Sequence, residues 1–198
     1  MSELAVATVY EAAGREGLID HALHRIVPGS RASGPARPVL CGQGDNLMVH
    51  AAMAHARPGD VLVLTMPEPE PVALIGDLLA TQAKAQGVAA ILVDGAVRDA
   101  DELAELGLPI WARWIRVRGA TKDVPGSIDE PVEVGGARIA AGDLLVLDGD
   151  GAAAVAQDRI DEVLVAAQER EDRERVKRAK LQAGELSYDL DNLRERVE

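Results

Sequence analysis

The chain has 198 residues, the size of one compact domain with room for an appendage. It contains 21 Lys and Arg against 33 Asp and Glu, and this net charge of −12 argues against a nucleic-acid-binding protein, which needs clustered positive charge. Cys41 is the single cysteine, and no apolar run approaches the roughly 18 residues that cross a bilayer. No charged-then-apolar leader opens the chain, so we expect a cytoplasmic protein without membrane contact.

The last 43 residues differ in composition from the rest of the chain. Residues 156–198 hold 9 basic and 12 acidic side chains, so this segment is almost half charged and yet close to neutral. Such a composition is typical of a solvated helix rather than of a second hydrophobic core. We therefore predict one domain over residues 1–167, and a C-terminal helical arm over residues 168–198 that projects into solvent or bridges to another subunit.

The first 60 residues are predicted to form a short helix, a loop and a second helix. Thr8 and Glu11 have the spacing of a capping box, which predicts a helix that ends at Gly14. Glycine and proline recur through residues 27–40, which indicates a loop that runs into a short strand. Residues 45–55 begin with capping residue types and contain helix formers, and a Pro-Gly-Asp turn follows them.

Strands and helices alternate in the middle of the chain. Continuous apolar runs over residues 61–64 and 89–93 are typical of strands that are covered on both faces. Helices are predicted over residues 77–86 and 101–106, because each has a capping residue before it and a glycine after it. Residues 109–113 form the next predicted strand. This order of elements predicts an α/β domain with parallel strand pairs.

After Thr121 the pattern becomes that of antiparallel strands followed by a helix. Residues 132–139 alternate around a Gly-Gly pair, which predicts a hairpin, and residues 143–148 and 152–156 continue as strands. A helix is predicted from Asp158, with an apolar stripe over its first turns that fades into a segment polar on every face.

The motif Gly76-Asp77-Leu78-Leu79 opens one of the predicted helices and could bind an anion. The first N–H groups of a helix have no partner within it, and the helix dipole adds roughly half a positive charge there. A carboxylate or a phosphate fits this position. The alternative is that Asp77 simply caps the helix.

The second motif, Arg98-Asp99, follows a buried strand. Because α/β folds place ligands at the carboxyl ends of parallel strands, Arg98 could hold an anionic substrate while Asp99 binds a divalent cation. The alternative is an Asp-Gly turn at residues 94–95, a surface arginine, and Asp99 or Asp101 acting as a helix cap.

Together with residues 8–12 (Thr-Val-Tyr-Glu-Ala) and 44–46 (Gly-Asp-Asn), these two motifs resemble those of one family. It contains the class II pyruvate aldolases for 4-hydroxy-4-methyl-2-oxoglutarate and 4-carboxy-4-hydroxy-2-oxoadipate, and also the regulator of ribonuclease E activity A. The resemblance covers nearly the whole chain. It implies a single swivelling-type α/β/β sandwich domain with a mixed sheet and a C-terminal helical extension.

The resemblance also implies roles for the motif residues. Asp99 is similar to the metal-binding aspartate of a Mg²⁺ or Mn²⁺ site, in which water and substrate oxygens fill the other positions. Arg98 is similar to the arginine that holds the 2-oxo acid and steadies its enolate. The backbone of residues 76–79 resembles the cradle for the pyruvyl carboxylate, and Asp77 resembles the residue that helps to position a metal-bound water.

Asn46 and His50 are four residues apart and would share one face of a helix, where they could reach a polar ligand or pair at the surface. A metal-ligand role for His50 is disfavoured, because no second His or Cys stands at ligand spacing. The resemblance implies that both residues line the substrate pocket.

The C-terminal arm resembles the element that separates the two branches of the family. In the aldolases a C-terminal helix delivers a glutamate to a neighbouring subunit's site, whereas the regulator branch lacks this extension. Arg173-Glu174, followed by residues 183–186, matches that element, although arginine stands where lysine is expected. Glu174 is the expected donated carboxylate, with Glu171 as the alternative. The resemblance implies a homo-oligomer, either a trimer or a hexamer formed as a dimer of trimers.

The implied activity is a divalent-metal-dependent retro-aldol cleavage that gives pyruvate and a second oxo acid, with oxaloacetate decarboxylation as a side activity. Asp77, Arg98 and Glu174 are the expected catalytic residues. The alternative is a non-catalytic protein-binding regulator of the ribonuclease E inhibitor type. The cations that could recognise the distal carboxylates of the substrate are Arg116, Arg118 and Lys122.

Overall fold

The computed structural model describes residues 4–197, so the outer limits of the predicted domain and arm, residues 1–3 and 198, lie outside the described part. The strands are β1 (His24–Arg25), β2 (Ala32–Leu40), β3 (Val61–Thr65), β4 (Ala73–Ile75), β5 (Ala90–Val97), β6 (Ile110–Ile115), β7 (Ser127–Ile128), β8 (Val132–Val134), β9 (Ala137–Ile139), β10 (Leu144–Leu147) and β11 (Ala152–Val155). The α-helices are α1 (Val6–Ala12), α2 (Leu47–Ala52), α3 (Asp77–Ala85), α4 (Ala100–Leu106), α5 (Ile160–Gln182) and α6 (Ser187–Leu190).

The strands form one mixed sheet and a separate hairpin. The order across the sheet is β1-β6-β5-β3-β2-β10-β11, with β4 paired to β5 and β7 paired to β2. The pairs β2–β3, β3–β5, β4–β5 and β5–β6 are parallel, and the other pairs are antiparallel. The hairpin consists of β8 and β9. The α/β class, the parallel pairs, the mixed sheet and the C-terminal helix that the sequence predicts are therefore confirmed.

Alternating side chains of β3 place hydrophobic cores on both faces of the sheet. Leu62 and Leu64 pack into a core with residues of α2, α3 and α4, whereas Val61 and Val63 pack into a second core with the β8–β9 hairpin. Because both faces are covered, the strand is apolar at every one of these positions, as the continuous run in the sequence indicates.

A third core attaches α1 and α5 to the antiparallel end of the sheet. Leu145 of β10 points to the core shared with the hairpin, while Val146 packs with Val9 of α1 and Val163 of α5. β10 and β11 thus separate the second core from the third.

α5 runs without interruption through the predicted boundary between residues 167 and 168. Val163 and Ala167 are buried, but none of the described residues after Ala167 is. Beyond α5 the chain folds back, and Nζ of Lys177 lies 2.6 Å from Asp191. The arm therefore continues a core-packed helix into a half that has no buried side chain. No helix among residues 4–197 combines the length and the hydrophobicity needed to span a bilayer.

The capping box predicted at the start of the chain is wrong. Thr8 lies inside α1, and Glu11 accepts a hydrogen bond from the Arg15 side chain. The N–H of Val6, the first residue of the helix, instead donates to Oδ2 of Asp148 at 3.0 Å. A carboxylate distant in sequence takes the capping role, which no local pattern could show.

Two strands are longer than the sequence predicts. β5 continues through Asp94, because that buried carboxylate accepts hydrogen bonds from Thr65 at the end of β3 and from Arg113 of β6. β2 includes Pro35 and Pro38, which the sequence places in a loop. Pro38 falls between the stretch paired with β10 and the stretch paired with β7, so its missing N–H removes no bond to either strand.

Candidate functional site

The two predicted motifs meet because β4 and β5 are neighbouring parallel strands. Ile75 and Val97 are paired and are the last residues of their strands. The chain then continues as residues 76–77 after one strand and 98–99 after the other, and the Arg98 N–H donates to the Ile75 carbonyl at 3.2 Å. Both motifs therefore lie at the carboxyl edge of the sheet, where α/β folds bind ligands.

The carboxylate of Asp99 lies against the first turn of α3. Its Oδ2 atom accepts a hydrogen bond from the Asp77 backbone N–H at 3.1 Å and lies 3.6 Å from Nε of Arg98. Gly76 permits this approach, because a Cβ atom at that position would come within 2.5 Å of Oδ2. The glycine is thus required by contact with Asp99 and not by its own backbone conformation.

Asp99 has the left-handed backbone conformation, with φ of 57° and ψ of 44°. Apart from glycine, Asp and Asn are the residues that adopt this conformation most readily. The Asp99 side chain makes no capping hydrogen bond to α4, so the alternative role as a simple helix cap is not what the structure shows.

A cleft of about 320 Å³ opens beside these motifs. It brings together the residues that the sequence suggests for substrate and metal binding within the domain. Its lining includes Asn46, His50, Gly76-Asp77-Leu78-Leu79, Arg98 and Asp99. The cleft is therefore the candidate site.

The start of α3 offers hydrogen-bond donors to an anion in this cleft. Leu78 and Leu79 occupy the second and third positions of the helix, where backbone N–H groups have no partner within a helix. Since the Asp77 N–H is bonded to Asp99, the amides of Leu78 and Leu79 are the next donors in the first turn. The Asp77 side chain accepts a hydrogen bond from the Thr81 hydroxyl at 3.4 Å.

A second wall of the cleft is built on a buried carboxylate, Asp45, which has no exposed surface. Burial alone would raise the pKa of Asp45, but its hydrogen bonds outweigh burial and lower the pKa from 3.8 to about 2. The charged carboxylate therefore ties the start of α2 to the loop that follows β6. The donors are the Thr121 hydroxyl at 2.6 Å and the backbone N–H groups of Asp123 at 2.6 Å, Leu47 at 2.8 Å and Val124 at 3.2 Å.

Asn46 holds an unpaired acceptor in this second wall. Its Nδ2 donates to the Leu74 carbonyl at 3.0 Å, while its Oδ1 is buried and has no hydrogen-bond partner among the described residues. A buried acceptor without a donor costs about 1–3 kcal/mol. The side chain is only 8% exposed, so a ligand in the cleft is a natural source of the missing donor. His50 is exposed at the same wall.

The oxygen donors of the cleft fit a magnesium-type ion. Within residues 4–197, no cluster of three or more His, Cys, Asp or Glu side chains is arranged to hold a metal ion. The cleft is lined by the carboxylates of Asp77, Asp99 and Glu102. Mg²⁺ is commonly bound by one or two carboxylates and keeps several waters, so this sparse donor set suits it.

Glu174, the predicted catalytic glutamate, does not line the cleft of its own chain. Glu174 and the alternative, Glu171, are on α5, and α5 contributes no residue to the lining of the cleft. Oε1 of Glu174 lies 2.9 Å from Nε of Arg170. If Glu174 acts on this type of cleft, it does so in another copy of the chain, and the choice between the two glutamates stays a prediction.

Two acidic residues of the site were missed by sequence reasoning. Glu102 lines the cleft from the first turn of α4, and its spacing of three residues from Asp99, about one helical turn, is a signal that could have found it. The sequence places Asp45 at a helix start and in the Gly-Asp-Asn motif of the family resemblance, but gives it no role in the site. Its partners Thr121 and Asp123 are more than seventy residues away, so no local pattern reveals its role.

Another cavity, of about 180 Å³, lies between α1, α5 and β10 and is mostly apolar. The charged groups in its lining, Arg31 and Asp148, lie 3.6 Å apart and pair with each other. It therefore lacks the convergent free polar groups that mark the first cleft.

The fold and the cleft define the class of the protein. The chain belongs to the RraA-like family, described as Aldolase/RraA, whose sequence profile matches residues 6–155. This match covers all the elements that build the cleft and stops before α5.

Proteins named as aldolases and a member of the RraA inhibitor family are both similar to this chain. A protein of Halalkalibacterium halodurans named "Putative 4-hydroxy-4-methyl-2-oxoglutarate aldolase" is 38% identical over 138 residues, which are 70% of this chain and 66%, just under two thirds, of that protein. A Burkholderia mallei protein of the same name is 38% identical over 121 residues, 61% of this chain and 73% of that one. The crystal structure of Streptomyces coelicolor RraAS2, an unusual member of the RNase ES inhibitor RraA protein family, superposes with a TM-score of 0.80 and 30% identity, over 90% of this chain and 93% of that one.

Proposed function

We propose that the protein is a divalent-metal-dependent lyase. It cleaves 4-hydroxy-4-methyl-2-oxoglutarate or 4-carboxy-4-hydroxy-2-oxoadipate to pyruvate and a second oxo acid. The observation that carries this proposal is the convergence of the Asp99 carboxylate, the Arg98 guanidinium and the first turn of α3 in one cleft. The names of the relatives from Halalkalibacterium and Burkholderia support the same activity.

The end of the substrate that becomes pyruvate binds at α3. Its carboxylate accepts hydrogen bonds from the backbone amides of Leu78 and Leu79, where the helix dipole favours a negative charge. Arg98 donates to the 2-oxo oxygen and stabilises the charge that develops there when the enolate forms. The Arg98 side chain is about half exposed, so it is free to turn towards a ligand.

Asp99 is the residue that would hold Mg²⁺ or Mn²⁺, and the carboxylate side chains of Asp77 and Glu102 line the same cleft. When bound, such an ion acts as a Lewis acid and stabilises the enolate oxygen. The contact of Asp99 Oδ2 with the Asp77 N–H fixes the carboxylate in place for this role.

The cleavage breaks the bond between C3 and C4 of the substrate. The C4 hydroxyl loses its proton, its oxygen becomes the carbonyl of the second oxo acid, and the electron pair of the broken bond passes into the pyruvate enolate. We assign the proton to a water molecule held by Asp77 and by Glu174 of a partner subunit. Protonation of the enolate at C3 then releases pyruvate. Loss of CO₂ from oxaloacetate passes through the same enolate, so oxaloacetate decarboxylation is the expected side activity.

Completion of the site by Glu174 requires a homo-oligomer, and we propose a trimer or a dimer of trimers. The half of α5 after Ala167, which has no buried side chain, supports an interface, as does Leu78, which lines the cleft and is 83% exposed although apolar. A helix that is polar on every face and does not pack in its own domain commonly bridges to another subunit.

A second candidate function is that of a non-catalytic regulator that binds a ribonuclease. The close superposition with the Streptomyces RNase ES inhibitor relative favours it. This candidate assigns no role to the Asp77–Asp99 contact, whereas the lyase requires it.

Pyruvate release tests the proposal and separates the two candidates. Purified protein is given oxaloacetate or 4-hydroxy-4-methyl-2-oxoglutarate with Mg²⁺ or Mn²⁺, and pyruvate is followed with lactate dehydrogenase. The lyase gives turnover with both substrates, and a chelator removes it. A regulator gives no pyruvate above the blank that contains only the metal, and it binds a ribonuclease with or without the chelator.

A further inference from the structure

The apolar cavity between α1, α5 and β10 shares no lining residue with the cleft at the carboxyl edge of the sheet. Its volume is about 180 Å³. We propose that this cavity is a second binding site, which takes a small apolar monocarboxylate. The tail of the ligand fills the cavity, and its carboxylate binds Arg31.

The wall of the cavity is suited to a hydrocarbon tail. Val9 of α1 and Val146 of β10 are buried in it, and Leu164 of α5 is half-buried. Dry apolar cavities of about 150 Å³ admit a benzene ring, so this one accommodates a tail of about six carbon atoms. The other apolar residues of the lining are Leu4, Ala32, Leu144 and Leu147.

Arg31 gives the cavity one charged end. Its Nη2 atom lies 3.6 Å from Oδ2 of Asp148, which is an ion-pair contact but too long for a hydrogen bond. Within residues 4–197, no other ion pair and no hydrogen bond engages this guanidinium group, which is 45% exposed. Its N–H donors are therefore open to a ligand, and a carboxylate can accept two of them in parallel.

Asp148 does not depend on Arg31 for its hydrogen bonds. Oδ2 of Asp148 accepts the Val6 N–H at 3.0 Å, and Oδ1 accepts the Asp150 N–H at 2.9 Å. Both oxygens of this buried carboxylate are thus bonded to the backbone. Arg31 can turn from Asp148 to a ligand without leaving a buried carboxylate that lacks donors.

A bound ligand joins α5 to the sheet at the base of the arm. Leu164 and Gln168 line the cavity from α5, and Ala167, the last buried residue of that helix among those described, lies between them in sequence. The ligand therefore adds contacts at the point where α5 leaves the domain. Because it binds the folded chain, it also raises the thermal midpoint.

The binding test uses three probes, hexanoate, acetate and hexan-1-ol, whose affinities for the full chain are measured by ligand-detected NMR. Acetate has the carboxylate without the tail, and hexan-1-ol has the tail without the charge. We expect a Kd for hexanoate at least about tenfold below both, because each buried CH₂ group favours binding about fourfold and the carboxylate pairs with Arg31. A Kd for hexanoate equal to that of either control probe overturns the proposal.

Substitution of Arg31 tests the charged end. Arg31→Met should remove the preference for hexanoate over hexan-1-ol, and Arg31→Lys should keep part of it. Arg25→Met is the matched control, because Arg25 is exposed, lies outside the cavity and donates to the Ser30 carbonyl. A preference that survives in Arg31→Met contradicts the role of Arg31.

Substitution of Leu164 tests the apolar part. Leu164→Phe adds volume to the lining, so it should weaken hexanoate and hexan-1-ol alike and abolish the rise in thermal midpoint that hexanoate gives in the wild type. Val165→Phe, at the next position of α5 and 61% exposed, is the control and should change neither. Equal effects of the two variants overturn the assignment of the tail to this cavity.

Two further results would also overturn the proposal. Hexanoate affinity that falls in Arg98→Met and not in Arg31→Met would place the carboxylate in the cleft at the sheet edge. Failure of hexanoate to bind, together with a smaller oligomer by light scattering in Leu164→Phe, would show that a second copy of the chain covers the cavity.

Discussion

The backbone N–H of Asp77 donates to Oδ2 of Asp99 at 3.1 Å, across 22 positions of sequence. The Asp99 carboxylate, which is proposed to hold the metal, is therefore aligned by the first turn of α3. The next backbone amides of the same turn are proposed to hold the substrate. Because one contact serves both motifs, a change at either motif should disturb the other.

Gly76→Ala should lower kcat/KM for pyruvate release by roughly tenfold to a hundredfold, since displacement of a reacting group by about 1 Å has effects of that size. The new Cβ would come within 2.5 Å of Asp99 Oδ2, so the carboxylate must move. Gly149→Ala is the matched control, because its Cβ would meet only the flexible end of Arg25, at 3.2 Å. Equal activity of the two variants would show that the close approach is unimportant.

Asp99→Asn should reduce turnover by at least about a hundredfold, because the substitution removes the anionic ligand of a Lewis-acid site. Asparagine tolerates the left-handed conformation, so the thermal midpoint should stay close to that of the wild type. Asp101→Asn, at an exposed position of α4, serves as the control for a general loss of charge. Near-normal turnover in Asp99→Asn would rule out this metal ligand.

Asp45→Asn should destabilise the protein at neutral pH by about 1–3 kcal/mol, because a buried charged acceptor with four donors is lost. The pKa of Asp45 is lowered from 3.8 to about 2, so its contribution is fully present above pH 3.8 and disappears as the pH falls through 2. In urea titrations, the difference in the free energy of unfolding between Asp45→Asn and the wild type should become smaller as the pH falls from 3.8 to about 2. Asp123→Asn, which leaves the clamping backbone N–H in place, is the control. A difference in unfolding free energy that does not change with pH would show that the charge of Asp45 does not stabilise the fold.

Two inactive variants should complement each other if Glu174 completes the site of a partner subunit. Asp99→Asn and Glu174→Gln are produced together, and mixed oligomers are assayed. With random assembly, about a quarter of the sites combine an intact Asp99 with an intact Glu174 from another chain. The same mixture made with Glu171→Gln tests the alternative glutamate, and Glu169→Gln is the control. Activity no higher than that of the separate variants would argue against a shared site.

A variant that ends at Gln168 should remain folded and lose most activity. The residues removed include no buried position among those the structure describes, and the core packing of Val163 and Ala167 is kept. Circular dichroism and thermal unfolding establish that the domain is intact, and pyruvate release gives the activity. Full activity in the folded variant would show that the arm has no part in catalysis.

The buried strands and the helix at α3 could be predicted because their signals are local. The apolar runs of β3 and β5 follow from burial on both faces, and the glycines around α3 mark its ends. The two site motifs could also be named, but only the pairing of β4 with β5 shows that they touch. β4 has three residues and β7 has two, too few for a periodic pattern.

Other features could not be predicted because their causes are distant in sequence. Asp148 accepts a hydrogen bond from the first N–H of α1, and Thr65 and Arg113 donate hydrogen bonds to Asp94 inside β5. Asp45 is separated from Thr121 by 76 positions. In each case the carboxylate is buried, and its hydrogen-bond partners are brought to it only by the fold.

The most direct test of the proposed lyase is the stoichiometry of 4-hydroxy-4-methyl-2-oxoglutarate cleavage. Substrate loss and pyruvate formation are measured together by NMR, with Mg²⁺ and then with excess chelator. The retro-aldol reaction predicts two molecules of pyruvate for each substrate molecule consumed, no reaction with chelator, and almost none in Asp99→Asn. Substrate that persists at the rate of the metal-only blank would contradict the proposed function.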